Sequence, residues 1–186
     1  MKGKEYLYQG FNELIKIKPF SEITISEIVK YSNVNRNTFY YHFKDLESFL
    51  KSFFKDEFAD QIQELIKNNK IREGYQIMID YSKTHKELMK ESLANPSVEK
   101  ILVVIFHNEI RLDVAKILIN YQESLHINLH KDFICFFSHR IVDEFLAAPK
   151  QIVFDDMNIR VLEESATLYI DAIPEKLLKV SKVNFD

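Results

Sequence analysis

The sequence has no tryptophan, three glycines, four prolines and one cysteine. So few turn formers, set against abundant Leu, Ile, Lys and Glu, exclude a chain of many hairpins and predict long helices. The expected fold class is all-α. A single cysteine, Cys135, excludes an intrachain disulfide and suits a reducing compartment. Because it lies in an apolar run, it is expected to be a buried, inert thiol. The longest apolar run, Ile101–Phe106, is far short of the roughly 20 residues that span a bilayer. The N-terminus opens on Lys and Glu in an amphipathic pattern, unlike a signal peptide. A cytoplasmic protein with no membrane partner is therefore expected.

Strong charge of one sign is also missing: the net charge is −3 over 186 residues. Its distribution is uneven. The first 58 residues hold nine basic side chains against eight acidic ones, so the acidic excess falls in the rest of the chain. The asymmetry has the sign expected of an N-terminal nucleic-acid module, though it is small.

What the chain does have is helical periodicity. Leu7, Phe11, Leu14 and Ile15 share one face, predicting a first helix from about Lys4 to Ile17, stopped by Pro19. Short helices are expected after Thr24 and after Asn35. A long fourth helix starts near Asp45, carries Phe49, Leu50, Phe53, Phe54, Phe58, Ile62, Leu65 and Ile66 on one stripe, and ends at Asn68 or Asn69. Further helices are placed at about 71–92, 97–106, 108–120, 126–147 and 157–172, with Asn95-Pro96 and Pro149 as breaks. The resulting division is a head, 1–47, and a larger helical body, 48–186.

Residues 24–43 carry the chemistry. Thr24 and Glu27 have the spacing of a capping box, in which a hydroxyl and a carboxylate satisfy free backbone N–H groups reciprocally. Ile25, Ile28 and Val29 form the inner face of a two-turn helix. In the following turn Asn33 is the best non-glycine candidate for positive φ, and Val34 would fill the angle between the two helices. Asn35 suits the N-cap of the next helix. Within it Phe39 and Phe43 are four apart and point to the core, whereas Arg36 with Tyr40, and Asn37 with Tyr41, lie on other faces. Thr38 and His42 flank them. A guanidinium, an amide and phenols on one short helix can bond phosphates and base edges.

This stretch resembles the N-terminal domain of TetR-family regulators, at Thr24, Glu27, Ile28, Val34, Asn35, Thr38, Phe39, Tyr40, His42 and Phe43. The resemblance covers about residues 4–60. Asn33 stands where the family usually has Gly, and Leu46 where it often has a phosphate-contacting Lys, a contact for which Lys44 can substitute. The wording around Asn35–Phe43 is also similar to a subgroup that includes regulators of dihydroxyacetone kinase operons. The resemblance implies a homodimer on a palindromic double-stranded operator, regulated by a small-molecule effector, most simply as a repressor. By that analogy Arg36, Asn37, Thr38 and Tyr40 approach bases, while Thr24, Tyr41, His42 and Lys44 hold phosphates and Asn35 caps the reading helix. The last two long helices would form the dimer interface. A second reading is a TetR-like co-activator or adaptor that works through protein contacts, its DNA surface degenerate.

In the body, Tyr75, Met78, Tyr81, Met89, Phe106 and Phe133 are of the types that line adaptable effector pockets, and equally of the types that fill cores. His126 and His130 are four apart, and His107, His139 and Cys135 add further donors, but no metal-binding spacing joins them. No metal or cofactor is expected. With no glycine-rich phosphate loop, nucleophile elbow or carboxylate pair, neither is catalysis.

Overall fold

The computed structural model describes residues 2–182, which form ten helices and no strand. In the head, α1 (Lys2–Ile15) is followed by a 3₁₀ turn (Phe20–Glu22), α2 (Ile25–Tyr31) and α3 (Arg36–His42). α4 covers residues 46–67 as Leu46–Phe54, a π turn Lys55–Ala59 and Asp60–Lys67. The body adds α5 (Ile71–Thr84), α6 (Lys86–Ala94) and α7 over 96–124, with a π turn at Phe106–Ile110. It closes with α8 (Lys131–Val153), α9 over 159–171, whose last turn Thr167–Asp171 is π, and α10 (Ile173–Val180). Among the described residues no helix is long and apolar enough to cross a membrane.

The head is closed by aromatic rings. Phe11 packs edge-on against Phe20, Phe49 and Phe53, and Phe49 also meets Phe39, Phe43 and Tyr8, all at centroid distances between 5.0 and 5.7 Å. Such edge-to-face packing adds to the burial of large apolar area. Head and body also meet directly where the Phe20 backbone N–H donates to Glu91 on α6 at 3.1 Å.

Several helix boundaries differ from the periodicity reading, each for a local reason. The expected helix 71–92 breaks at His85, where Thr84 Oγ1 donates to the Asp80 carbonyl and the His85 ring stacks on Tyr81. Side-chain bonds of this kind compete with the helical ladder. The expected helices 97–106 and 108–120 are one continuous helix, because the π turn absorbs a residue and keeps both Phe106 and Ile110 in the core. α8 begins only at Lys131, since His126 takes positive φ (51°) and ends α7. Nor does Pro149 break α8: it lies buried one turn before the end, where a single forfeited hydrogen bond is tolerated. Helix α10 follows the last expected one as a separate element, with Pro174 in its first turn.

Candidate nucleic-acid interface

The interface is built from its caps outward. Thr24 is extended ahead of α2. Its Oγ1 accepts from the Glu27 N–H at 3.3 Å, and the Glu27 carboxylate accepts from the Thr24 N–H at 3.0 Å. Lys18 completes the arrangement by donating to Glu27 at 2.6 Å. The Lys18 hydrogen bond, followed by those from Thr24, holds the Glu27 carboxyl down to about 2. In the turn Asn33 has φ 51°, the left-handed conformation expected there, and Val34 is half-buried against the core. Asn35 then caps α3, its Oδ1 accepting from the Asn37 N–H at 2.8 Å.

α3 has an inner and an outer side. Phe39 and Phe43 are buried. Arg36 and Tyr40 are exposed and engage each other: Nη2 donates to the phenol at 3.3 Å, and the guanidinium lies over the ring at 5.6 Å. Asn37 is exposed, and Tyr41 is 85% exposed, the most accessible large hydrophobic side chain among the described residues of the head. Thr38 and His42 are placed differently. Both are half-buried against the start of α1, so close that a Cβ on Gly3 would lie 2.8 Å from Thr38 Cγ2 and 3.1 Å from His42 Nε2. They stand at the edge of the outer face rather than on it. Lys44 is exposed just beyond the helix, while Leu46 is half-buried and packs on the core.

Several cations in and beside the head are neutralised by ion pairs. Lys4 pairs with Asp56, Lys16 with Glu13, Lys18 with Glu27, and Lys51 and Lys55 converge on Glu109. Burial opposes ionisation of Glu109, but hydrogen bonds from Lys55 and Lys51 outweigh it and hold the carboxyl below its usual range. Lys30, Arg36 and Lys44 make no ion pair among the described residues. The outer face of α3 therefore offers one guanidinium, one amide, two phenols and a nearby ammonium. These groups can bond phosphate oxygens and base edges.

One determinant of this geometry was not read from the sequence. Gly10 of α1 packs against the turn so closely that a Cβ would lie 2.2 Å from Ser32 Oγ and 2.6 Å from Ser32 N. The available signal was the seven-residue spacing of Gly3 and Gly10, which puts both on one face of α1, two turns apart.

The residues expected to line an effector pocket are packed. Tyr75, Met78, Tyr81, Met89 and Phe106 are all buried: Tyr75 and Phe106 rest on Phe145, and Tyr81 lies between Phe58 and His85. Burial, together with the neighbouring Glu57, raises the Tyr81 phenol. Phe133 is half-buried and stacks on Phe137. Cys135 corrects another expectation: it is exposed beside Phe136, while Phe133, Ile134 and Phe137 of the same run pack against the core. His126 and His130 are exposed, and His130 serves as N-cap of α8. Among the described residues no three His, Cys, Asp or Glu side chains converge as metal ligands.

Residues 12–52 match the family model "Bacterial regulatory proteins, tetR family". No curated protein matches the chain in sequence. Among solved structures, the chain is similar to the dihydroxyacetone kinase operon activator DhaS, with 14% identity, a TM-score of 0.66, and coverage of 95% of this chain and 97% of that one. It is also similar to a tetR family transcription regulator from Shewanella sp. PV-4, with 16% identity, a TM-score of 0.55, and coverage of 96% and 95%.

Proposed function

We infer that this chain, a TetR-family transcription regulator with a DNA-binding N-terminal domain, works as a ligand-responsive repressor that binds a palindromic operator as a cytoplasmic homodimer. The observation that carries the reading is the outer face of α3, with Arg36, Asn37, Tyr40 and Tyr41 presented on a helix fixed at its start by Asn35 and following α2, which the Thr24–Glu27 box caps. In this reading Arg36, Asn37 and Tyr40 reach base edges, with Thr38 at their margin. Tyr41, Lys44, Thr24 and His42 hold phosphates. Residues 1–47 form the head and 48–186 the sensing and dimerising body. The dimer would form on α8 and α9, where Phe136, Val161, Leu168 and Tyr169 are each more than half exposed. Such a concentration of exposed apolar side chains is what an interface between copies needs. An effector in the body would change the spacing of the two heads, and with it operator affinity.

The test is binding to DNA from the chain's own upstream region. Three unpaired cations per head give about six per dimer, hence a slope of log affinity against log salt of about −5. Arg36→Ala and Tyr40→Ala should each weaken operator binding by about 1–3 kcal/mol while changing affinity for random DNA less. Unchanged operator affinity in both variants would show that α3 is not the reading helix.

One observation favours a second reading, a co-activator or adaptor working through protein contacts. Lys4, Lys16 and Lys18 are spent on ion pairs with Asp56, Glu13 and Glu27, and Leu46 occupies a position where the family often places a lysine. The similar structure is itself named an activator. A dimer that shows no preference for upstream DNA even at low salt would favour this reading.

A further inference from the structure

Two imidazoles meet between α7 and α8. His107 lies in the π turn of α7 and His139 on α8, with their Nδ1 atoms 3.0 Å apart and ring centroids at 5.1 Å. On the other side of its ring, His107 Nε2 is 3.2 Å from Asp143 Oδ1, one turn along α8 from His139. Arg140 stands 3.5 Å from the second oxygen of Asp143, and Arg111 donates its Nε to the His107 carbonyl at 3.1 Å. His107 and Asp143 also line an open cleft of about 300 Å³, rimmed by Glu99 and Lys150, which pair with each other.

The hydrogen-bond inventory restricts where protons can sit. With Nε2–H donating to Asp143, a neutral His107 turns a lone pair on Nδ1 toward His139, so the donor across the 3.0 Å contact is His139 Nδ1–H. A first added proton can go to the other nitrogen of His139 and leave this contact intact. A second must go to His107 Nδ1. Two N–H groups, each on a positive ring, would then face each other at hydrogen-bond distance. Among the described residues Asp143 is the one acidic side chain that pairs with either ring, and Arg111 and Arg140 add positive charge around it. Burial first, then Arg111 and His107, push the His139 imidazole below its ordinary value.

We propose that the His107–His139 pair is a proton-operated latch between α7 and α8, closed while the pair holds at most one added proton and opened by the second. α8 carries Phe136 of the proposed dimer face, so opening would loosen the helix on which that face is built. That downstream effect rests on the dimer reading, whereas the latch does not.

The experiment is thermal melting of the full chain without DNA at pH 7.5 and pH 5, for the wild type, His139→Gln and Asp143→Asn. A glutamine amide can still donate to His107 but cannot take a charge. A second protonation made about tenfold harder should cost the wild type about 3–6 °C more between the two pH values than it costs His139→Gln. Asp143→Asn, which removes the anion that eases the second charge, should lose more than the wild type. Equal pH dependence in wild type and His139→Gln overturns the latch. Should His139→Gln not fold, ring-proton NMR of the wild type decides. His107 and His139 must titrate as a coupled pair with a second step well below about 6.5, and two independent ordinary titrations overturn the proposal. Neither measurement uses DNA or dimerisation, so its failure leaves the operator reading untouched.

Discussion

Replacing Gly10 by alanine should loosen the head although it improves the helix. An Ala Cβ at this position would lie 2.2 Å from Ser32 Oγ, 2.6 Å from Ser32 N and 2.9 Å from Ser32 Cα. The hydroxyl can rotate away only by giving up its bond to the Ile28 carbonyl, and the other two atoms are backbone of the turn. To restore a contact of about 3.4 Å, α1 must retreat from the turn by roughly 0.8 Å, in an interior packed too densely to absorb it. Overpacking of this kind costs about 1–3 kcal/mol, or more where backbone must move. Alanine's helix propensity returns only about 1 kcal/mol. Toward the upper end of that cost the net loss of about 1–2 kcal/mol corresponds to a melting temperature lower by about 2–8 °C. Gly74 is the matched control. Its Cβ would meet Ile62 and Ile66 at 3.4–3.5 Å, ordinary van der Waals contact within a helix, so Gly74→Ala should melt about 2–4 °C higher. Adding Ser32→Ala to Gly10→Ala should restore part of the loss, since it removes the hydroxyl contact but not the one to the amide nitrogen. Parallel melting curves in one buffer decide the matter. A Gly10→Ala chain that melts at or above the wild type would refute the packing argument.

Two further outcomes follow from the caps and the exposed face. Glu27 has its carboxyl lowered from 4.5 to about 2 by Lys18 and Thr24, so the stability it contributes is fully present above about 4.5 and is lost as pH falls toward about 2. Denaturation midpoints measured at pH 5 and pH 2.5 should therefore differ less in Glu27→Gln than in the wild type; equal differences would remove the charge from the account of the cap. Separately, Phe136→Asp or Leu168→Asp should convert a dimer into a monomer of unchanged helicity in light scattering, whereas a persistent dimer would place the interface elsewhere.

The parts of the head that were legible in the sequence are those decided within a few residues. The Thr24–Glu27 cap, the positive φ of Asn33, the Asn35 cap and the inward pair Phe39 and Phe43 each follow from spacing and local hydrogen-bonding capacity. What depended on distant partners was not legible. Lys18 reads as a plain surface charge until the fold brings it to Glu27. Gly10 gives no sign of what it touches until Ser32 is beside it. In the body, Met and aromatic residues look the same in sequence whether they fill a core or line a cavity, and here Tyr75, Met78, Tyr81, Met89 and Phe106 fill it. Cys135 differs for the converse reason: consecutive residues of an apolar run point to different sides of a helix, and only those that face a neighbour are buried. The π turn at Phe106–Ile110 shifts the phase of the periodic pattern by one residue, which is why that one long helix reads as two.

The aromatic closure of the head bears on whether this regulator is modular. Phe49 and Phe53, which contact Phe11 and Tyr8, belong to α4, and the next residue along, Phe54, turns to Phe58 and the body. A head cut after residue 47 would be left without two of its own core rings, and a body starting at residue 48 would expose them. A chimera that exchanges reading heads between relatives therefore has to carry the first two turns of α4 with the head and join partway along a helix, where the register of the graft must be kept to the residue.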